Sequence, residues 1–346
     1  RVGVFAWKET ATLLGENIAA SLSPFEPADV LDELETTSVA GFARAEVWLA
    51  DAWMLAAGAR VSRDETEARE RSAGLPPIAA ERAETTGTFD ATAAWEWRAG
   101  SRTGFRFAVG SRPGGFDTGV PEVAGAPAQL RDHGDERALH YEWFAENALW
   151  NERVTFDLRL FWTDYERYLL CLDSGFGHRC SNGGGALARG VEMGVRVRPA
   201  AGALVQLTAT RLDAELDDHR AVDRSQPRFI PGTTVQNPLF GVQIDLDGRP
   251  LLRAPRWQVG ALARWELDAS WIGAPWLGAL TPSVDVLYQS RTAHRVFDPD
   301  RLQRPTLLVG SSLRWSSASR RWHVIAFVQN WLDHDKIALV HATSSQ

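Results

Sequence analysis

Apolar and polar residues alternate one for one along much of this chain, the period that sends successive side chains to opposite faces of a β-strand. In 153–168, Val154, Phe156, Leu158, Leu160 and Trp162 interleave with Thr155, Asp157, Arg159 and Thr163, and Phe161 alone breaks the order. In 186–198, Val191, Met193, Val195 and Val197 alternate with Glu192, Gly194, Arg196 and Arg198. In 256–268, Trp257, Val259, Ala261, Ala263, Trp265 and Leu267 alternate with Gln258, Gly260, Arg264 and Glu266. In 86–98, Phe89, Ala91, Ala93, Trp95 and Trp97 alternate with Asp90, Thr92, Glu96 and Arg98. Each stretch has one apolar face and one charged face. Helical periodicity is scarce, and its best candidate is the short segment Pro27–Glu35.

The pattern predicts about 13 strands, at 1–7, 38–49, 53–65, 86–98, 103–111, 138–149, 153–168, 186–198, 203–216, 256–268, 280–292, 304–316 and 321–333. Most run about 12–14 residues. Soluble strands average roughly 5–6, and a tilted strand crosses a bilayer in about 9–11. The links are about 30, 3, 20, 4, 26, 3, 17, 4, 39, 11, 11 and 4 residues long, so long and short alternate almost throughout. A meander with its long links at one end and short turns at the other matches an antiparallel up-and-down transmembrane β-barrel. The fold class is therefore all-β. Trp48, Trp53, Trp97, Trp150, Trp315 and Trp322 sit in or beside short turns, and Trp265, Trp271 and Trp276 crowd the link at 269–279. Indole rings settle at headgroup level because the ring is apolar while its N–H needs a partner, so this band reads as an aromatic girdle.

Composition narrows the picture. The 346 residues carry a net charge of −7, and no basic stripe is present to neutralise phosphates, which argues against nucleic acid as a partner. Two cysteines are too few for a disulfide-dense scaffold or a zinc module. No run approaches 18 apolar residues, so no membrane helix is encoded, which leaves strands as the route across a bilayer. The opening RVGVFAW reads as a strand, with none of the features of a signal peptide. An odd number of antiparallel strands does not close with the even count usual in bacterial outer membranes. The expectation is one partial barrel domain over 1–346, whose outermost strands, 1–7 and 321–333, pair with strands beyond those counted here.

Several short runs resemble the barrel of TonB-dependent outer-membrane receptors. Phe107-Ala-Val-Gly110-Ser-Arg112-Pro-Gly114-Gly115-Phe116 resembles the family's strand ending in G-x-[KR]-x-G-G-F. Tyr141-Glu142 resembles the Tyr-Glu opening a later strand, and Phe161-Trp-Thr-Asp164-Tyr165 is similar to F-[YW]-x-D-Y. Ala188-Arg189-Gly190-Val191-Glu192 resembles [SA]-[KR]-G-[VF]-E, and Ala254-Pro255-Arg256-Trp257 resembles A-P-x-[WH]. Tyr288-Gln-Ser290-Arg291 and Val328-Gln-Asn330-Trp331-Leu332-Asp333 resemble Y-x-S-R and V-x-N-L-x-D. The order and spacing of these runs cover residues 100–333, while 1–99 fits by pattern alone. The resemblance implies a barrel of about 22 strands around a plug, of which this chain would carry roughly strands 9 to 21. It places the protein in the outer membrane of a Gram-negative bacterium. It implies active uptake of a scarce ligand such as a ferric siderophore, with TonB and the plug as partners. The plug, the TonB-contacting segment and an aromatic-ended last strand are not among these residues. The alternative is a passive porin or a surface adhesin barrel.

Candidate chemistry is sparse. Arg112, Phe116, Asp117, Arg131, His133, Tyr168, Arg179 and Arg228 lie in or beside long links and suit an anionic or aromatic ligand. Gly183-Gly184-Gly185 lacks the Lys-[Ser/Thr] of a phosphate loop and reads as a flexible loop. Asp217-Asp218-His219 could chelate a metal but reads as three solvated residues of a long loop, and His133 and His140, seven apart, lack a third ligand nearby. Glu142 and Glu146 share a strand face and read as lumen charges rather than catalytic carboxylates. Nothing resembles a nucleophile elbow, so no enzyme and no cofactor are expected. Cys171 and Cys180 share one link, and oxidation on the way to a cell surface favours a disulfide.

Overall fold

The computed structural model describes residues 1–15, 30–72, 76–117, 130–173, 178–223, 235–237, 241–297 and 302–335. Its strands are β1 (Val2–Gly15), β2 (Val30–Leu49), β3 (Trp53–Ser72), β4 (Ile78–Arg98), β5 (Ser101–Arg112), β6 (Gly115–Asp117) and β7 (Arg131–His133). They continue with β8 (Glu136–Leu149), β9 (Val154–Asp173), β10 (His178–Val197), β11 (Ala203–Asp217), β12 (Arg220–Asp223), β13 (Val242–Asp245) and β14 (Trp257–Trp265). The last are β15 (Leu267–Asp268), β16 (Ala279–Gln289), β17 (Thr292–Ala293), β18 (Leu302–Gln303), β19 (Thr306–Ser316) and β20 (His323–Val328). One antiparallel sheet runs β1-β2-β3-β4-β5-β8-β9-β10-β11-β14-β16-β19-β20, with β15 beside β16. Each long strand pairs with its neighbour in sequence, so the sheet is a meander. The pairs β6–β7, β12–β13 and β17–β18 are small separate hairpins within the long links.

All 13 expected strands are present, and several are longer than the alternation suggested. β2, β3, β9 and β10 each have 20 residues and β4 has 21. Residues 66–72 and 78–85, read from the sequence as loop, continue the β3–β4 hairpin in register from Thr66↔Arg82 to Glu70↔Ile78. The expected helix at Pro27–Glu35 is overturned. Val30–Glu35 is strand, paired in register with β3 from Val30↔Ser72 onward, and 27–29 lie outside the described residues. Backbone hydrogen bonds to a neighbouring strand outweigh a weak local helical period. Gly183–Gly185 are strand as well, inside β10, where the register shifts between Asn182 and Gly184 and again between Gly184 and Ala186.

The register sorts the two faces. On one face Trp162 opposes Tyr141, Leu160 opposes Trp143 and Val191, and Ala261 opposes Leu207 and Val286. These apolar side chains have no second protein layer over them: Phe105 is 68% exposed and Val61 58%. Exposure on that scale costs too much in water and is what lipid covers. Trp53 stacks on Trp95 with ring centroids 6.1 Å apart near one short turn, and Trp150, Trp276 and Trp322 are exposed at others. Trp48 departs from the expected girdle: it opposes Met54 on the other, inner face, and its Nε1 donates to Glu46 at 3.3 Å. At the far edge of the apolar band, the Arg189 guanidinium lies 5.4 Å from the Trp162 ring and that of Arg211 lies 5.8 Å from Trp257. Long basic side chains at such a boundary keep the stem in hydrocarbon and the charge in the polar layer.

Buried packing is concentrated at the outer end, where the long links are. Leu170, Ala186, Leu216, Ala221, Leu246 and Val296 form a core there, contributed by β9, β10, β11 and the folded links beyond them.

Candidate functional site

The inner face of β5, β8 and β9 carries a ladder of charges, because every second residue on each strand points inward. Glu146 accepts from Arg102 Nε at 2.7 Å and lies 3.5 Å from Arg159. Glu142 is 3.4 Å from Arg106 and 3.8 Å from His140. Arg44 and Asp90 form a further pair at 2.6 Å. Water-facing pairs such as these add little stability each. Their effect is to keep the inner face wet and polar while the outer face stays apolar.

Toward the outer end this wall forms a concavity of about 830 Å³, lined by Arg112, Glu136, His140, Tyr165, Tyr168 and Glu192 among others. The two tyrosine rings meet edge-on with centroids 5.8 Å apart. Between them Arg167 adopts the left-handed conformation (φ 54°), which swings Tyr168 out of strict alternation. Burial, reinforced by the nearby Glu136 carboxylate, pushes the Tyr168 phenol above its ordinary pKa. The hydroxyl, protonated at neutral pH as in any tyrosine, offers a donor beside an aromatic face. Glu136 Oε2 accepts from the Leu169 N–H at 2.8 Å, fixing the kinked segment.

The predicted ligand residues separate into distinct places. Arg112 and Tyr168 line the concavity. Phe116 and Asp117 lie on β6, and Arg131 and His133 on β7, a hairpin standing beside the outer end of β10. Asp117 Oδ2 accepts from the Cys180 N–H at 2.5 Å, so it serves in holding hairpins together. Arg179 pairs through its backbone with Leu172, and Arg228 lies outside the described residues. Tyr165, Glu136 and Asn182 were missed by sequence reasoning. Tyr165 was quoted only as part of a motif, and a lone Asn beside a glycine run gives no chemical signal.

The glycine run has a steric reason. A Cβ on Gly183 would lie 2.9 Å from His219 Nε2, and one on Gly184 2.6 Å from His219 Cα. The Asp218-His219-Arg220 segment therefore rests directly on β10. His219 is fully buried, and neither ring nitrogen has a hydrogen-bond partner among the described residues. Burial lowers its pKa from the ordinary value. The neutral imidazole is the form the fold accommodates, while the unfolded segment takes up a proton near pH 6.5. Stability of this link is thus present above the unfolded pKa and falls as pH drops through about 6.5 toward the lower folded value. Hydrogen exchange over 217–223 and 241–247, corrected for intrinsic rates, should show more frequent opening at pH 5 than at pH 7.5. His219→Leu should remove that dependence; a pH response surviving in the variant would assign it elsewhere. Among the described residues no cluster of metal-ligating side chains occurs at Asp217-Asp218-His219 or around His133 and His140.

Cys171 and Cys180 oppose each other on β9 and β10 and are bonded, S–S 2.04 Å. Thiol labelling of protein taken from membranes without reductant should leave both unmodified, and labelling should reach both after reduction. Labelling of both in the unreduced sample would contradict the bridge.

A meander with an apolar belt, a charged inner wall and hairpins at one end is the geometry of outer-membrane barrels in general, and the family comparison decides among them. The model for the TonB dependent receptor-like β-barrel matches residues 7–330. The chain belongs to the TonB-dependent receptors. As a TonB-dependent receptor barrel it resides in the outer membrane of a Gram-negative bacterium. Solved receptor structures share its fold. The ferric yersiniabactin uptake receptor of Yersinia pestis superposes with a TM-score of 0.70 at 18% identity, over 96% of this chain and 46% of that one. The ferric-catecholate import receptor of E. coli K12, in its closed form, gives 0.64 at 16% identity, over 99% and 49%. A siderophore receptor of Acinetobacter baumannii gives 0.60 at 15% identity, over 83% and 37%. The TonB-dependent receptor chain described here thus spans less than half the length of these receptors. No curated protein sequence matches it.

Proposed function

We propose that this chain forms part of the wall of a receptor that takes up a ferric siderophore across the outer membrane. In this reading a plug from the same protein occupies the polar lumen, and TonB supplies the energy that moves it. The observation that carries the reading is the outer concavity. It faces inward at the end bearing the long hairpins and combines Tyr165, Tyr168, Arg112 and Glu136 in about 830 Å³. Clefts of roughly 300–1,000 Å³ with an aromatic lining and a few fixed polar groups are the size and character of small-ligand sites. The structurally similar receptors named for siderophores support the same cargo class. The remaining strands of a closed wall would pair with the edges of β1 and β20, each of which has one partner strand among the described residues.

The test is uptake of radioactive iron, supplied as a panel of ferric siderophores, in cells expressing the whole protein. At least one complex should enter in a TonB-dependent manner. Uptake that persists without TonB, or no uptake of any ferric complex, would overturn the proposal; the first result would favour a passive pore.

A further inference from the structure

Two outer hairpins, joined by no disulfide, meet beside β10: β6–β7 and the outer half of β9–β10. The Asn182 side chain fastens the two-residue link behind β7, Gly134-Asp135, to the β9–β10 hairpin. Its Oδ1 accepts from the Gly134 N–H at 2.7 Å, and its Nδ2 donates to the Arg167 carbonyl at 2.7 Å and the Asp135 carbonyl at 3.4 Å. Both amide hydrogens and one acceptor site are therefore in use. The Asp117 contact to the Cys180 N–H, already described, lies on the same seam. On the opposite side of β6–β7, Glu84 Oε2 accepts from the Gly114 N–H at 3.0 Å, and Arg82 comes within 3.5 Å of Asp132. The small hairpin is thus held between β4 and β10. Its attachment on the β10 side depends on where Asn182 sits. That position is set by the β9–β10 register, which Cys171 and Cys180 fix two residues away.

We propose that Asn182 is a positioning residue for cargo recognition, fastening β6–β7 to the disulfide-bearing hairpin so that the two present one surface above Arg112, Tyr165 and Tyr168. The proposal rests on the uptake reading above. It carries an unusual corollary: cutting the Cys171–Cys180 bridge loosens residues 131–135, which contain no cysteine.

The experiment is hydrogen exchange, with binding of a transported ferric siderophore, on the whole receptor in lipid nanodiscs. Asn182→Ala should raise exchange over 130–137 about tenfold, the effect of losing a small number of hydrogen bonds, and weaken siderophore binding by a comparable factor. Exchange in the membrane-spanning part of β2 and β3 and heat-modifiable gel mobility should stay at wild-type values. Reducing the wild-type bridge with a trialkylphosphine should reproduce the local rise without any substitution. Unchanged exchange over 130–137 under both treatments would overturn the proposal. So would a rise spread equally over the whole sheet, or a local rise with unaltered affinity. If no ferric complex binds the wild type, the uptake reading fails, and with it the role in cargo recognition; the exchange measurements then decide separately whether Asn182 couples the hairpins.

Discussion

Ala261→Arg should destabilise the assembled barrel by about 2–4 kcal/mol, while Arg264→Ala, three positions along the same strand, should cost less than about 1 kcal/mol. Ala261 lies on the apolar face near the middle of β14, between Leu207 and Val286. A guanidinium there has hydrocarbon around it, and the apolar band leaves a long way to snorkel in either direction. Arg264 lies on the opposite face, between Leu204 and Ser283, and is exposed. Removing it subtracts one water-facing charge from a wall that has many. Urea unfolding of the complete receptor in lipid vesicles measures both. Equal costs would mean that the two faces have been assigned the wrong way round or that the strand does not cross the bilayer.

Gly190→Val should cost about 1–3 kcal/mol or more, and Gly41→Val should be close to neutral. At Gly190 an added Cβ would run into the Arg211 carbonyl and stand 2.8 Å from Phe161 Cζ. Phe161 is its direct cross-strand partner, and the ring lies down over the missing side chain. Phe144 does the same over Gly104, where a Cβ would be 2.8 Å from Cζ, and Phe42 over Gly3 at 2.5 Å. A glycine opposite an aromatic lends its space to the ring, which covers the bare backbone in return. At Gly41 nothing lies within 4 Å of the added atom, and a β-branched residue suits a lipid-facing strand. The same urea titration compares the two. If Gly190→Val is as mild as Gly41→Val, the Phe161 ring does not depend on that space.

Phe161 also shows why so much of the fold could be read in advance. It was the one apolar residue out of phase on its strand, and the structure puts it on the polar face because Gly190 makes room for it. Two-sided strands announce their faces by alternation, and lipid on one side with water on the other keeps that contrast strong over the bilayer. Beyond the bilayer both faces of a strand meet water or other polypeptide, so the signal fades. That is where the reading fell short, at residues 66–72 and 78–85 of the β3–β4 hairpin and at Gly183–Gly185. The site was less legible still. Arg112 and Tyr168 could be guessed from residue type and place, and Cys171 with Cys180 from compartment. The partnership of Asn182 with Gly134 depends on two hairpins meeting about 48 residues apart in sequence, and no local pattern encodes such a meeting.

The unequal lengths of the links also bear on how quickly the sheet can assemble. β2 and β3 are joined by three residues, 50–52, with Ala50 and Asp51 already in the left-handed turn conformation, whereas β11 and β14 are separated by residues 218–256. Loop closure grows with the logarithm of length, so the longer closure starts about 2 kcal/mol behind. Strands joined by short links, β2–β3–β4–β5, β8–β9–β10–β11 and β19–β20, should therefore zip first as independent ribbons, and the longer links should join ribbon to ribbon afterwards. A chain built this way reaches a large sheet through a series of nearby encounters, and its slowest steps fall at the seams that the outer hairpins span.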